Sequence, residues 1–205
     1  MVMHKGKPAL AQDFGVRSRA AEHYRERFLA IDPGDVHVGL AEFERTQDGY
    51  WYCVWAGEKT PAGFLEWYVE GIRKGRWSRI VVESWKLFPQ AAPIYVGSDM
   101  PTSRLIGAIE ALALHLVPDS GWFDEELPVT RQDPQIKVPT RGVLKRRKLK
   151  SMAKVLRVPL DHASDAELHG FKWCIDHNQP IENTIQQTKR LAELNPDLSH
   201  SHALW

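Results

Sequence analysis

The apolar positions change period along the chain, and each change marks an element. Phe28, Leu29, Ala30 and Ile31 form a continuous apolar run that reads as a buried strand, closed by Asp32 and the turn pair Pro33-Gly34. Val36, Val38, Leu40 and Phe43 are spaced to return as its hairpin partner. After the turn at residues 47–49, the segment YWYCVWAG alternates Trp51, Cys53 and Trp55 against Tyr50, Tyr52 and Val54. That alternation suits a third strand and completes an antiparallel meander. The period then lengthens: Phe64, Leu65, Tyr68 and Ile72 share one helical stripe, opened by Thr60-Pro61 and closed by Gly75. RIVVES, residues 79–84, is a short apolar run that ends in Glu83. A helix leads into it, which is the connection a strand parallel to the first one requires.

Residues 84–100 have the Pro and Gly content of a long loop. From Pro101 a helix carries Leu105, Ile106, Ile109, Leu112, Ala113 and Leu116 at three- and four-residue spacing. LPVTRQDPQIKVP, residues 127–139, supplies a fifth strand, followed by a loop at PTRG and a helix from about Val143 to Leu156. Two last helices follow, one on Leu168, Phe171 and Ile175, the other on Ile181, Ile185, Thr188 and Ala192. The expected architecture is α/β: a mixed five-stranded sheet, three strands antiparallel and the others parallel, flanked by helices, with an extra C-terminal helix. Its expected division is a leader at 1–26, one domain at 27–178, and a C-terminal helix and tail at 179–205.

Composition narrows this picture. At 205 residues, 43% hydrophobic and 26% charged, the chain can bury one sizeable core but is too polar for a membrane protein. Its longest apolar helix is interrupted by Glu110 and His115, and its first 26 residues hold no secretory-type apolar run. A soluble, cytoplasmic protein is expected. With only Cys53 and Cys174, a cysteine zinc cage is excluded and both thiols read as small core residues.

The net charge of +1 conceals an asymmetry. Nine of the 27 bases lie between Pro134 and Leu160, at Lys137, Arg141, Lys145, Arg146, Arg147, Lys148, Lys150, Lys154 and Arg157, while all 26 acids lie elsewhere. A charge run is commonly a solvated helix face. One sign without interspersed acids repels itself, however, unless a polyanion neutralises it, and nucleic acid becomes the favoured partner.

Four residues are candidates for chemistry. Parallel neighbours ending in Asp32 and Glu83 would set two carboxylates side by side at the carboxyl edge of the sheet, and the spacing of His162 and Asp165 puts both on one helical face. Taken singly, Asp32 could cap a turn, Glu83 could be a surface carboxylate, Asp161 or Asp165 could cap a helix, and His162 or His169 could be a hydrogen-bonded structural histidine. Jointly, clustered like charges call for cations, and hard oxygen ligands select Mg²⁺ or Mn²⁺. Two such ions per site form the clamp used for phosphodiester hydrolysis. Spacing leaves open whether His162 is a ligand or a general base.

These segments together, "IDPGDVHVGLA", "IVVES", "SRLIGAIEAL", "IKVPTRGVLKRRKLKSMAKVL" and "DHASDAEL", resemble the RuvC family of Holliday junction resolvases, in its divergent bacteriophage-encoded branch, within the ribonuclease H-like superfamily. The resemblance spans roughly Phe28 to Ile175. It implies a ribonuclease H-like fold and a homodimer that resolves four-way junctions, and branched DNA such as flaps and forks, in the host-cell cytoplasm if the gene is a phage's. Asp32 matches the family's first-strand aspartate, Glu83 its fourth-strand glutamate and Asp165 its final-helix aspartate, while His162 matches a position held by aspartate or histidine. For the lysine that stabilises transition-state charge, Lys148 matches best and Lys137 second. The aromatic expected after the fourth-strand glutamate is displaced: Trp85 and Phe88 flank the usual offset, where Lys86 stands. The expected DNA contacts are Trp85, Lys86, Phe88, Lys137, Arg141, Lys145, Arg146, Arg147, Lys148 and Lys150. A ribonuclease H acting on RNA:DNA hybrids, a branched-DNA binder that cuts weakly, and an actin-like or sugar-kinase fragment are the rivals. The last needs a second domain and a further glycine-rich phosphate loop, which this sequence does not show.

Overall fold

The computed structural model describes residues 26–85, 100–116, 127–147, 149 and 161–182. Five strands, β1 (Arg27–Pro33), β2 (Val38–Arg45), β3 (Trp51–Lys59), β4 (Arg79–Glu83) and β5 (Val129–Gln132), form one sheet in the order β3-β2-β1-β4-β5. The meander β1-β2-β3 is antiparallel, and β1-β4 and β4-β5 are parallel. This is the expected mixed sheet. The parallel pairings are made possible by two helical connections, α1 (Pro61–Arg73) and α2 (Pro101–His115). Helix α1 starts where Thr60 accepts the Gly63 amide and Pro61 fits the first turn, and it stops at Gly75, whose φ of 61° a side chain would resist.

The apolar run of β1 is continuous because both faces are covered. Leu29 and Ile31 pack with Phe64, Tyr68 and Ile72 of α1 and with Leu105, Ile106 and Ile109 of α2. Phe28 and Ala30 pack on the other side, against Ala163, Ala166, Phe171 and Cys174 of the last described helix, α4 (Asp161–Asp176). Phe28 stacks on Phe43 at 4.7 Å between ring centroids and meets Trp173 at 4.8 Å. Cys53 and Cys174 are free thiols buried in this second cluster, in agreement with the sequence.

Alternation along the strands then decides which way the strand ends point. Asp32 follows Phe28 and Ala30 onto the α4 face, and Glu83 follows Val81. A row of residues crosses the whole sheet at this level. Glu58 pairs with Gly39, Gly39 with Asp32, and Glu83 with Gln132, while Asp32 and Glu83 follow the pair Ile31–Val82. Gly39 leaves a gap in the row: a Cβ there would lie 2.0 Å from the His162 carbonyl oxygen, so the start of α4 sits directly on β2.

Three expectations are corrected. PTRG is not a loop: the helix begins earlier, as α3 (Lys137–Arg146), after a 3₁₀ turn at Pro134–Ile136. Pro139 lies in the first turn of α3, where a missing N–H leaves no bond unmade, and the Thr140 hydroxyl donates to the Ile136 carbonyl at 2.7 Å. Val36 does not join β2 but is exposed in the turn. Ile181 is not helical: it bridges to Trp51, whose N–H and C=O at the open edge of β3 bond Pro180 and Glu182. The distal part of the basic helix, the 84–100 loop beyond Trp85, and Ile185, Thr188 and Ala192 lie outside the described residues, as do Lys86, Phe88, Lys148 and Lys150. Among the described residues, no helix is long and apolar enough to cross a membrane.

The contact at Gly39 gives a direct test of how α4 is seated. Gly39→Ala should cost about 1–3 kcal/mol through overpacking, read as a thermal midpoint lower by roughly 2–4 °C per kcal/mol. An unchanged midpoint would mean that α4 does not rest on β2 at this point.

Candidate active site

The side chains of the site are delivered by several separate elements. The three strands β3, β1 and β4 run in one direction and carry Glu58, Asp32 and Glu83 at their carboxyl ends; β5, parallel to β4, ends in Gln132. Helix α4 lies across these ends with His162, Asp165 and His169 on one face, and α3 begins with Lys137. Asp32, Glu83, His162, Asp165 and Lys137 line one open pocket together with Pro33, Ser84, Trp85 and Thr102. The four candidates from the sequence are thus brought together.

Their geometry centres on one positive charge. The Lys137 ammonium lies 3.1 Å from Asp32 Oδ1, 2.7 Å from Glu83 Oε2 and 2.9 Å from Asp165 Oδ2. Asp165 is held on its other oxygen by Arg141 at 2.7 Å, and Asp32 on its other oxygen by His162 Nδ1 at 2.7 Å. Glu83 Oε2 also meets His169 Nε2 at 2.8 Å, and His169 Nδ1 lies 2.9 Å from Gln132 Oε1.

These contacts set the charges. Burial is the largest influence on Asp32, and with the adjacent Glu83 carboxylate it raises its pKa to about 7 against the pull of Lys137 and His162. Glu83 is also penalised by burial, but hydrogen bonds from His169, Asp32 and Lys137 hold it well below the usual carboxylate range. The two carboxylates titrate as a coupled pair, with Asp32 the member whose pKa is raised. Burial opposes the charge on Lys137 and His162, yet the carboxylates win in both cases, and each pKa is raised. Burial of a carboxylate is not by itself the mark of a site here. Glu42 and Glu44, each 2% exposed, are matched away from the pocket, the first by Trp77 and Arg76, the second by Tyr52 and Arg27.

A donor set that already closes three carboxylate oxygens around one cation at 2.7–3.1 Å has the chemistry that hard divalent ions take. Among the described residues, ligand atoms of Asp32, Glu83 and His169 also lie within 4.8 Å of one another, with both His169 nitrogens already engaged by Glu83 and Gln132.

Sequence reasoning missed two residues and read a third, His169, as structural. Glu58 accepts the His162 amide at 3.0 Å and the Ala163 amide at 3.2 Å, so a carboxylate from β3 supplies bonds that the first turn of α4 cannot make internally. Gln132 lies at the end of β5 against His169. His169, taken as a structural histidine, is fully buried yet touches Glu83 directly. The signal for Glu58 and Gln132 was the one that marked Asp32 and Glu83, a polar residue at the carboxyl end of a strand. Of the two lysines, Lys137 stands in the cluster, and Lys148 lies outside the described residues. Arg141 is engaged with Asp165, while Lys145, Arg146 and Arg147 are exposed at the end of α3. Trp85 is half-buried, lines the pocket and packs on the α1/α2 side of the core.

No protein-family model matches the chain, and no curated protein does. Solved structures similar to it include Thermus thermophilus RuvC in complex with a Holliday junction, at 15% identity over 71% of this chain and 90% of that one, with a TM-score of 0.44. The fowlpox virus resolvase in complex with Holliday junction DNA is 10% identical over 73% of this chain and 97% of that one, with a TM-score of 0.49. The yeast mitochondrial Holliday junction resolvase Ydc2 is 13% identical over 72% and 77%, with a TM-score of 0.45.

The charge state of the cluster predicts a pH dependence in the metal-free protein. Asp32 has a pKa of 3.8 as a free side chain and about 7 in the fold, so its contribution to stability is complete below pH 4 and is lost as pH rises toward 7. Asp32→Asn cannot lose a proton. Its stability relative to the parent should therefore grow between pH 5 and pH 8, by on the order of 1–3 kcal/mol, measured by urea unfolding with EDTA present. A difference that stays constant with pH would contradict this charge assignment.

Proposed function

We propose that this protein is a divalent-metal-dependent endonuclease that cuts branched DNA, four-way junctions above all, by phosphodiester hydrolysis. The observation that carries the proposal is the convergence of Asp32, Glu83 and Asp165, from three separate elements, on one cation in an open pocket beside an exposed basic helix end.

In this reading Asp32, Glu83, Asp165 and His162 hold Mg²⁺ or Mn²⁺, two ions per site. When bound, the metal supplies a hydroxide nucleophile at neutral pH and neutralises charge on the departing 3′ oxygen. The residues do the rest. With an ion on the carboxylates that it now neutralises, the Lys137 ammonium would be free to meet the negative charge that develops on the scissile phosphate. His162, bonded to Asp32 through Nδ1, has Nε2 as its one remaining nitrogen, which would either ligate an ion or move a proton, not both. Lys145, Arg146 and Arg147 contact phosphates on either side and give affinity that depends on salt but not on sequence. Trp85 in the pocket wall offers a face for a base unstacked at the branch. A homodimer would carry two such sites, one for each strand cut in a junction.

The test is incubation of the protein with end-labelled four-way junction, flap, linear duplex and RNA:DNA hybrid, with Mg²⁺, Mn²⁺ or EDTA. Metal-dependent nicking of branched DNA is expected. It should be abolished by Asp32→Asn while junction binding persists, and the combined variant Lys145→Gln, Arg146→Gln, Arg147→Gln should weaken binding and flatten its salt dependence. Cleavage by Asp32→Asn at the parental rate would overturn the site. Preference for the hybrid would make the protein a ribonuclease H, and tight binding without any cutting would make it a branched-DNA binder.

A further inference from the structure

His169 is placed as no solvated or merely core histidine is. It is 0% exposed, lies two turns into α4, and both ring nitrogens meet polar side chains from two different strands: Nε2 to Glu83 Oε2 at 2.8 Å and Nδ1 to Gln132 Oε1 at 2.9 Å. Glu83 and Gln132 are paired residues on β4 and β5, so the imidazole ring spans two neighbours of one sheet row. A carboxylate only accepts, which makes Nε2 the donor to Glu83. Nδ1 of the neutral ring then accepts, so Gln132 meets it with its amide N–H₂, the amide oxygen and nitrogen exchanged by a half-turn, and an imidazole bonded at both nitrogens has no freedom to turn.

We propose that His169 is a positioning residue: held by Gln132, it fixes the Glu83 carboxylate in the orientation required to receive the metal ion. The proposal rests on the metal-dependent reading above and deepens it. Glu83 ends its strand half-buried, with Ser84 and Trp85 leading out of the sheet, so the sheet holds only its backbone. Lys137 cannot do the fixing, since the same ammonium is shared with Asp32 and Asp165 and gives way when a metal binds. His169 is the partner of Glu83 that comes from behind, out of reach of solvent and substrate. Outer partners of this kind are worth a factor of about 10–100 in metal affinity or activity.

The experiment compares His169→Leu, which removes the donor, with His169→Gln, whose side-chain amide nitrogen can reach the position of Nε2. Mn²⁺ affinity is measured by the loss of the free-ion spin resonance signal, and kcat and KM by junction nicking. His169→Leu should bind Mn²⁺ about 10–100-fold more weakly and lose kcat at saturating DNA with KM nearly unchanged. His169→Gln should recover a large part of both. If His169→Leu does not fold, Gln132→Leu takes its place, with a smaller loss in the same direction. Parental Mn²⁺ affinity and kcat in a folded His169→Leu or Gln132→Leu protein would overturn the proposal, and so would a His169→Gln protein no better than His169→Leu. A parent protein that binds Mn²⁺ but cuts nothing would sink the nuclease reading alone, leaving the affinity comparison to decide the role of His169. A parent protein that does not bind Mn²⁺ would overturn both.

Discussion

One row of the sheet governs this molecule. Glu58, Gly39, Asp32, Glu83 and Gln132 stand at one level across all five strands, and α4 is laid on that level. Glu58 holds the first amides of the helix, Gly39 gives its backbone room, Asp32 bonds His162, and Glu83 and Gln132 bond His169. The contacts that position the helix are therefore the contacts that assemble the site. A shift of register by one residue in any of these strands would turn its member of the row to the opposite face.

The same row carries an electrostatic burden. Asp32 is 5% exposed and lies beside Glu83, and two ionised carboxylates in such a place repel strongly. The fold answers with a raised pKa at Asp32, an imidazole on either side, and one ammonium shared among three carboxylates. Each of these devices is weaker than a divalent ion at the same point, which links the instability of the metal-free cluster to its capacity for metal. The core shows the contrast: Glu42 and Glu44 are permanently matched by arginine and by aromatic hydrogen-bond donors, and nothing there awaits a ligand.

Much of this was legible in the sequence, for identifiable reasons. Strands buried on both faces write themselves as continuous apolar runs, so β1 and β4 and the carboxylates at their ends could be located, and a helix between them implied the parallel pairing. The three-residue spacing of His162 and Asp165 fixed them on one face whatever the exact helix limits. What stayed hidden depended on contacts between distant segments. Lys137 reaches Asp32 across 105 positions, and only because α3 begins at residue 137 rather than after PTRG. His169 shares a face with Asp165, but its bonding partners were set by the pairing of β4 with β5. Glu58 was overshadowed by the aromatic alternation of its own strand, although its position obeys the rule that marked Asp32.

The central claim is that the cluster is a divalent-cation site whose place the Lys137 ammonium keeps. A crystal grown with Mn²⁺, with data collected to locate the ion by its anomalous scattering, tests this most directly. The account predicts manganese bound to Asp32 and Glu83, with the Lys137 ammonium moved out of its 2.7–3.1 Å contacts with the three carboxylates. Manganese bound elsewhere on the protein, with the ammonium still seated among Asp32, Glu83 and Asp165, would contradict it.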